Sequence, residues 1–347
     1  MAALKPITIV GGGLAGLTLG ISLRRYGIPV TVLEMGHYPR HRICGEFISG
    51  RGLQVLGRLD LPGRLVEAGA ISASTVAFCY GRTSSPRRAL KTRALCLSRF
   101  DLDACLANRF RELGGELREG QRFNQDAPRE GFVHASGRRA RPIENGWRWF
   151  GFKAHAQNVS LAADLEMHVL ENGYVGLCRL KGDLVNVCGL FRRPAGAGQP
   201  VPPWQKLLSG PAGTGLHQRM AGAVFDEDSF CSVAGLALRP RLASESTQCC
   251  IGDALTMTPP VTGNGMSMAF ESAEIASEPL AAYSRDELGW DSAQQVVARA
   301  CDERFGRRLA WAKWLQWIMF APAFRGRLGS LALKSDLLWR LMLARTR

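Results

Sequence analysis

The chain has 347 residues, of which 46% are hydrophobic and 21% charged. That balance excludes a disordered chain, and the length allows a large core, enough for about two domains at ~150 residues each. Lys and Arg outnumber Asp and Glu by 44 to 30, a net charge of +14, and residues 301–347 hold ten Lys/Arg against three Asp/Glu. A basic balance suits an anionic partner, and no nucleic-acid motif occurs in the chain. Ten scattered cysteines with no C-x-x-C pair argue against a metal site and against a disulfide framework. There is no signal-peptide pattern and no run of 18 apolar residues, so the expectation is a cytoplasmic protein.

Ile7 to Val10 reads as a short buried strand, followed by Gly11-Gly12-Gly13-Leu14-Ala15-Gly16. A helix from Leu14 to Tyr26 is predicted, stopped by Gly27, and then a second strand from Val30 to Leu33 ending in Glu34. The spacing fits G-x-G-x-x-G in a strand–turn–helix setting. Gly11 permits the tight turn, Gly13 lets a pyrophosphate approach the backbone, and Gly16 lets helix and strand lie close. The free N–H groups at Leu14 and Ala15 and the positive end of the helix dipole face the phosphates. Glu34 follows Gly16 by 18 residues, where a carboxylate accepts hydrogen bonds from ribose hydroxyls and repels a 2′-phosphate. These features predict dinucleotide binding, with NADP disfavoured.

A second signal lies far downstream. Gln248 to Ile251 reads as a strand ending in Gly252-Asp253, followed by a loop with Pro259, Pro260, Gly263, Asn264 and Gly265 and a helix from Met266 to about Leu280. An Asp at a strand end can bind the hydroxyls of a ribityl chain, and a glycine loop opening a helix can present N–H groups to a pyrophosphate or a flavin carbonyl.

With these residues in place, the chain resembles the flavoprotein superfamily of aromatic hydroxylases over roughly residues 5 to 285. The resemblance rests on the N-terminal glycine motif, Glu34, Arg99 and Gly252-Asp253 with Pro260-x-x-Gly263-x-Gly265. Within it, Cys44-Gly45-Glu46 resembles the geranylgeranyl-reductase branch, which also holds halogenases and hydroxylases found beside type III polyketide synthases. The resemblance implies an α/β fold: a Rossmann-type FAD-binding domain of glutathione-reductase type, an inserted antiparallel β-sheet substrate domain, and C-terminal helices. The expected division is residues 1–70, 98–145 and 239–290 for FAD, 71–97 and 146–238 for substrate, and a basic, Trp-rich helical segment over 291–347.

By the same resemblance, FAD contacts come from Gly11, Gly13, Leu14, Ala15, Gly16, Glu34, Arg42, Arg99, Asp253, Pro260, Gly263, Asn264, Gly265 and Met266. Arg99 is expected near the FAD phosphates, at the head of a helix closed by Gly114-Gly115. Arg40 or Arg42 reaches the FAD phosphates, or equally the two belong to a solvated turn. Cys44 is expected near the flavin ring, where it tunes the flavin, shapes the pocket or donates a proton; a small buried hydrophobe is the bland reading. One departure stands out. The superfamily carries an Asp-Gly pair in its middle motif, linked to NAD(P)H use, and here Ala135-Ser136-Gly137-Arg138 takes its place.

In the substrate half, Trp147 to His155, Gly173 to Leu180 and Leu184 to Phe191 read as strands, the last two joined by Lys181-Gly182-Asp183. Residues 192 to 216, rich in Pro and Gly, read as a surface loop. Gly146-Trp147-Arg148-Trp149 is similar to a halogenase run but lacks its Ile-Pro. Lys153 and His155 share a strand face; facing the flavin they would bind a phenolate or move protons, and facing outward they are a solvated pair, the plainer reading. Asp302 to Phe320 reads as a helix with Trp311, Trp314 and Trp317 on one stripe, and a second segment covers Leu328 to Leu343. Three readings stay open for this tail: a cap on the substrate sheet, a peripheral membrane contact through 304–343 at the inner face, or a protein partner.

The activity implied is an FAD-dependent monooxygenase, with NAD(P)H as reductant. It hydroxylates an electron-rich phenolic or alkylresorcinol-like substrate through a flavin C4a-hydroperoxide, with Cys44, Lys153 and His155 as candidate catalytic groups. Three alternatives are an alkene reductase on prenyl or lipid chains, a flavoprotein modifying a protein side chain as in tryptophylquinone maturation, and a flavin-binding protein without turnover.

Overall fold

The computed structural model describes residues 3–123, 129–138, 140–141, 143–198, 200–321 and 334–336. The expected segment 328–343 therefore lies outside the described residues except for 334–336.

The nucleotide end is built on a parallel sheet of five strands, ordered Cys249–Cys250, Phe132–His134, Ile7–Val10, Val30–Leu33 and Glu116–Arg118. Ile7 pairs with Val30 and Thr8 with Phe132, which puts Ile7–Val10 in the middle. Parallel strands covered on both faces need apolar residues throughout, and Ile7, Ile9, Val32 and Val133 are fully buried. The helix Leu14–Arg25 buries Leu17, Leu19, Ile21 and Leu23, and Gly27 at φ +77° ends it as expected. Ser98 caps the helix Arg99–Glu112, its Oγ accepting from the Asp101 N–H at 3.1 Å. The late helix is longer than its pattern suggested, running Gly265–Ser284 through Pro279.

The second sheet has nine strands. Its order is Val224–Ala234, Trp147–Gln157, Val185–Pro194, Gly173–Arg179, Leu165–Leu170, Ile71–Tyr80, Arg88–Cys96 and Phe47–Ile48, with Thr83–Ser84 paired to Ile71–Tyr80. Two features depart from an inserted antiparallel sheet. Leu165–Leu170 runs parallel to Ile71–Tyr80, and the outermost strand, Phe47–Ile48, comes from the N-terminal segment. One face looks toward the nucleotide end. On the other, Ala154, Ala156, Val175, Val187 and Phe191 pack with Leu208, Leu216 and Met220.

That back face corrects the reading of 192–216 as a surface loop. Val185–Pro194 extends into it, and Trp204–Ser209 forms a short helix after Pro203. Leu208 is fully buried there, because the apolar face of the sheet needs a cover that the Pro and Gly content masked. The C-terminal helix begins earlier than predicted and spans Trp290–Phe320. Its first half caps the nucleotide end rather than the substrate sheet, with Ala293, Val297, Cys301, Phe305 and Leu309 in that core; its last turns, at Leu315, Met319 and Phe320, pack with Trp149, Tyr174 and Leu190 of the second sheet. No described helix is long and apolar enough to cross a membrane.

Candidate functional site

A cavity of about 740 Å³ lies between the two sheets. Its nucleotide end is lined by Gly11, Gly13, Leu14, Ala15, Glu34, Ser136, Arg138 and Asp253, and its far end by Val76, Phe78, Leu90, Met167, Tyr174 and Leu315. Charged side chains gather at the first end; those far-end residues are uncharged, and Glu166, which also borders the cavity there, has its carboxylate held by His168 and Arg219.

The glycine turn has the shape its spacing requires. Gly11 sits at φ +107°, and a Cβ there would strike the Ala135 backbone; a Cβ at Gly16 would strike the Gly11 carbonyl. Gly13 differs, because nothing lies within 4 Å of where its Cβ would be, and that open space is cavity. The helix therefore presents its free N–H groups to the cavity, in a shape that fits a diphosphate. Glu34 is buried at the end of its strand. Its Oε2 accepts from Gly12 N–H at 2.9 Å and its Oε1 from Gly36 N–H at 2.9 Å, while Arg40 and Arg42 pair with it. Burial pushes the carboxyl up, but the Gly36 N–H and the two arginines outweigh it and hold it below the usual range.

Arg42, Arg99, Asp253, Pro260, Gly263, Gly265 and Met266 also line the cavity. Gly16 and Asn264 stand behind this lining: Gly16 is buried in the helix, and Asn264 is the buried residue before the helix Gly265–Ser284. Gly263 is left-handed at φ +63°, and a Cβ there would strike the Phe47 ring. Burial raises the Asp253 carboxyl against the pull of Arg138 and Arg99.

Arg99 is committed inside the protein. Its Nε and Nη2 donate to Asp103 at 2.7 Å each, and Arg42 Nε pairs with the same carboxylate at 3.2 Å. Asp103 is fully buried and was not legible as a site residue, although its four-residue spacing from Arg99 on a predicted helix was a signal. Replacing Asp103 by Ala leaves two arginines without their acid and should cost about 3–5 kcal/mol, measurable by urea unfolding.

Lys153 and His155 are not a solvated pair. Both are buried, on the cavity-side face of Trp147–Gln157, and they converge on Glu46. His155 Nε2 donates to Glu46 Oε2 at 2.7 Å, and Lys153 Nζ lies 3.4 Å from Glu46 Oε1 and 3.2 Å from His41 Nδ1. The Arg99 N–H also donates to Glu46 Oε1, at 3.0 Å. Burial drives the Glu46 carboxyl up, but His155 and Lys153 outweigh it and hold it low. Glu46 keeps a left-handed backbone at φ +58°, costly for a residue with a side chain and retained because His155, Lys153 and the Arg99 N–H fix its carboxylate. Neither Lys153 nor His155 lines the cavity; His41 does, half-buried, its ring 4.8 Å from that of Phe100 and tilted by 30°, with its pKa lowered by burial and by the charges of Lys153 and His155.

Cys44 lines the cavity, its carbonyl accepting from Asn186 Nδ2 at 2.9 Å. Burial pushes its thiol up, which favours a neutral S–H over a thiolate. All ten cysteines are free. A separate cluster, Cys79, Glu166 and His168, sits on the opposite face of the sheet. There Glu166 accepts from the Ala162 and Ala163 N–H groups, His168 and Arg219, so its acceptor positions are filled.

Residues 5–141 match the family described as FAD binding domain. The rifampicin monooxygenase of Streptomyces venezuelae is 30% identical over 117 residues, covering 33% of this chain and 25% of that protein. The 3-amino-4-hydroxybenzoate 2-monooxygenase PtnB3 of Streptomyces platensis is 33% identical over 94 residues, 27% of this chain and 24% of that one. Each match spans about a quarter of the relative's length. Among solved structures, the flavin-dependent brominase Bmp2 superposes with a TM-score of 0.72 at 18% identity, over 99% of this chain and 94% of that one. Halogenase PltM gives 0.72 at 16% identity, over 99% and 79%. Residues 5–141 thus match the FAD binding domain family, and the chain as a whole has the fold of these flavin-dependent proteins.

Proposed function

We propose that this chain is an FAD-dependent monooxygenase that hydroxylates an electron-rich phenolic ring, of alkylresorcinol type, with NADH or NADPH as reductant. The observation that carries this reading is the cavity between the two sheets, polar and cationic at the glycine turn and mostly apolar at its far wall. The N–H groups at Leu14 and Ala15 would hold the diphosphate, Glu34 the ribose, Asp253 the ribityl hydroxyls, and the turn Gly263–Met266 the flavin end. When bound, FAD supplies electron transfer and oxygen activation. The chain supplies the rest. Phe78, Leu90, Met167 and Leu315 exclude water and orient an apolar ring. Cys44 offers a neutral S–H at the cavity wall. Lys153 and His155 act at one remove, by fixing Glu46 and His41, so His41 is the ring that would exchange a proton with the substrate hydroxyl.

The exposed Trp314 and Trp317 support peripheral contact of the helix Trp290–Phe320 with a lipid surface, in keeping with a lipid-like substrate.

The test is anaerobic reduction of the FAD-loaded protein by NADH or NADPH, then admission of ¹⁸O₂ with a panel of phenols and alkylresorcinols. The expected result is reduction followed by one ¹⁸O atom in the product. Saturation of a prenyl alkene without oxygen uptake would assign the reductase alternative instead. Refusal of both nicotinamides would remove the reductant from the proposal.

A further inference from the structure

Three turns meet at the start of the helix Leu14–Arg25. A Cβ at Gly11 would lie 2.8 Å from Ser136 Cα, and a Cβ at Gly252 would lie 2.8 Å from Ala15 Cβ. The Ser136–Arg138 turn and the Gly252-Asp253 turn therefore flank the glycine turn, with the open side of Gly13 between them.

Most cationic side chains around the cavity already have a carboxylate. Arg40 pairs with Glu34, Arg42 with Glu34 and Asp103, and Arg99 with Asp103. A phosphate at any of these competes with a bound acid. Arg122 has no such pair among the described residues and lies against Met35 Sδ. Arg138 is exposed on the cavity rim, and no carboxylate of the described residues lies within 4 Å of it; Asp253 is the acid that feels its charge. Ser136, in the same turn and beside Gly11, is uncharged.

We propose that Arg138, rather than Arg99, is the cation that meets the diphosphate of FAD, beside the N-terminus of the helix Leu14–Arg25. Asp253, opposite in sign and adjacent, then faces the hydroxyl-bearing chain next to that diphosphate. Arg99 instead holds Asp103 and, through its N–H, Glu46. The assignment rests on the FAD reading above.

The test compares wild type with Arg138→Met in titrations with FAD and riboflavin by flavin fluorescence, and with ADP by competition. The expected result is a Kd for FAD and for ADP raised about tenfold or more, with riboflavin unchanged and a shallower salt dependence of FAD binding. Arg138→Lys, which keeps the charge but not the fork, should recover part of the loss. Equal thermal melting of the apoproteins checks that the fold is intact. A change in FAD affinity below threefold, or an equal loss for riboflavin, overturns the assignment of Arg138 alone. A wild-type protein that fails to bind FAD overturns this assignment and the FAD reading together.

Discussion

Gly13→Val should abolish FAD binding while leaving the fold intact. Gly13 has φ −81°, which any residue adopts, and nothing lies within 4 Å of the Cβ position. The valine side chain therefore enters empty cavity without straining the chain, and it fills the place where a diphosphate meets the helix N–H groups. Losing those contacts should raise the FAD Kd by on the order of 100-fold or more, since each tenfold is about 1.4 kcal/mol. Circular dichroism and melting temperature should match wild type. The neighbouring glycines give the contrast: a Cβ at Gly11 or Gly16 runs into backbone, so Gly11→Ala and Gly16→Ala should lower stability as well as binding. Stoichiometric yellow flavin in Gly13→Val would contradict the placement of the diphosphate.

Glu46→Ala should be among the most destabilising changes near the cavity, alongside Asp103→Ala. It leaves Lys153 and His155 buried without their acid, and it frees the Arg99 N–H. Breaking a buried ion cluster from one side costs about 3–5 kcal/mol. The loop from His41 to Glu46, which carries Cys44, should loosen with it. The pH dependence has a definite sign. The folded carboxyl is held below its ordinary value, so its contribution is fully present above the unfolded pKa of about 4.3 and is lost as pH falls through the folded value. Wild type should therefore lose stability on acidification below about pH 4.3 more steeply than Glu46→Gln. Urea midpoints from pH 3 to 7 measure both effects. An alanine variant as stable as wild type would mean that the cluster does not hold the loop.

These two predictions differ in how far the sequence foretold them. The glycine turn was legible because its chemistry is local: Gly11, Gly13 and Gly16 lie within one turn and one helix start, and the strand on either side follows from short apolar runs. The cluster around Glu46 was not. His41, Glu46, Lys153 and His155 come from two segments more than a hundred residues apart, and only the placement of Trp147–Gln157 beside the 41–46 loop brings them together. Alternation along that strand showed that Lys153 and His155 share a face, but not which face was buried. The apolar partners Ala154 and Ala156, on the opposite side in the core with Leu208, settle it. The helix Trp204–Ser209 was hidden for a different reason. Its prolines and glycines flank six residues too few for a periodicity, and the need to cover the sheet, not helix propensity, forms it. Arg138 was visible only as the end of an altered motif. Its meaning depends on which other arginines already hold carboxylates, and that is a property of the folded site.

In the proposed reading, one FAD fills the cavity, with its adenosine half at Glu34 and its flavin over the second sheet. The most direct measurement is titration of the apoprotein with FAD, followed by flavin fluorescence and the visible spectrum, with FMN titrated in parallel. One equivalent of FAD should bind saturably, FMN should bind far more weakly because it lacks the adenosine and second phosphate, and ADP should compete. Absence of saturable FAD binding, or FMN binding as tightly as FAD, would contradict the account.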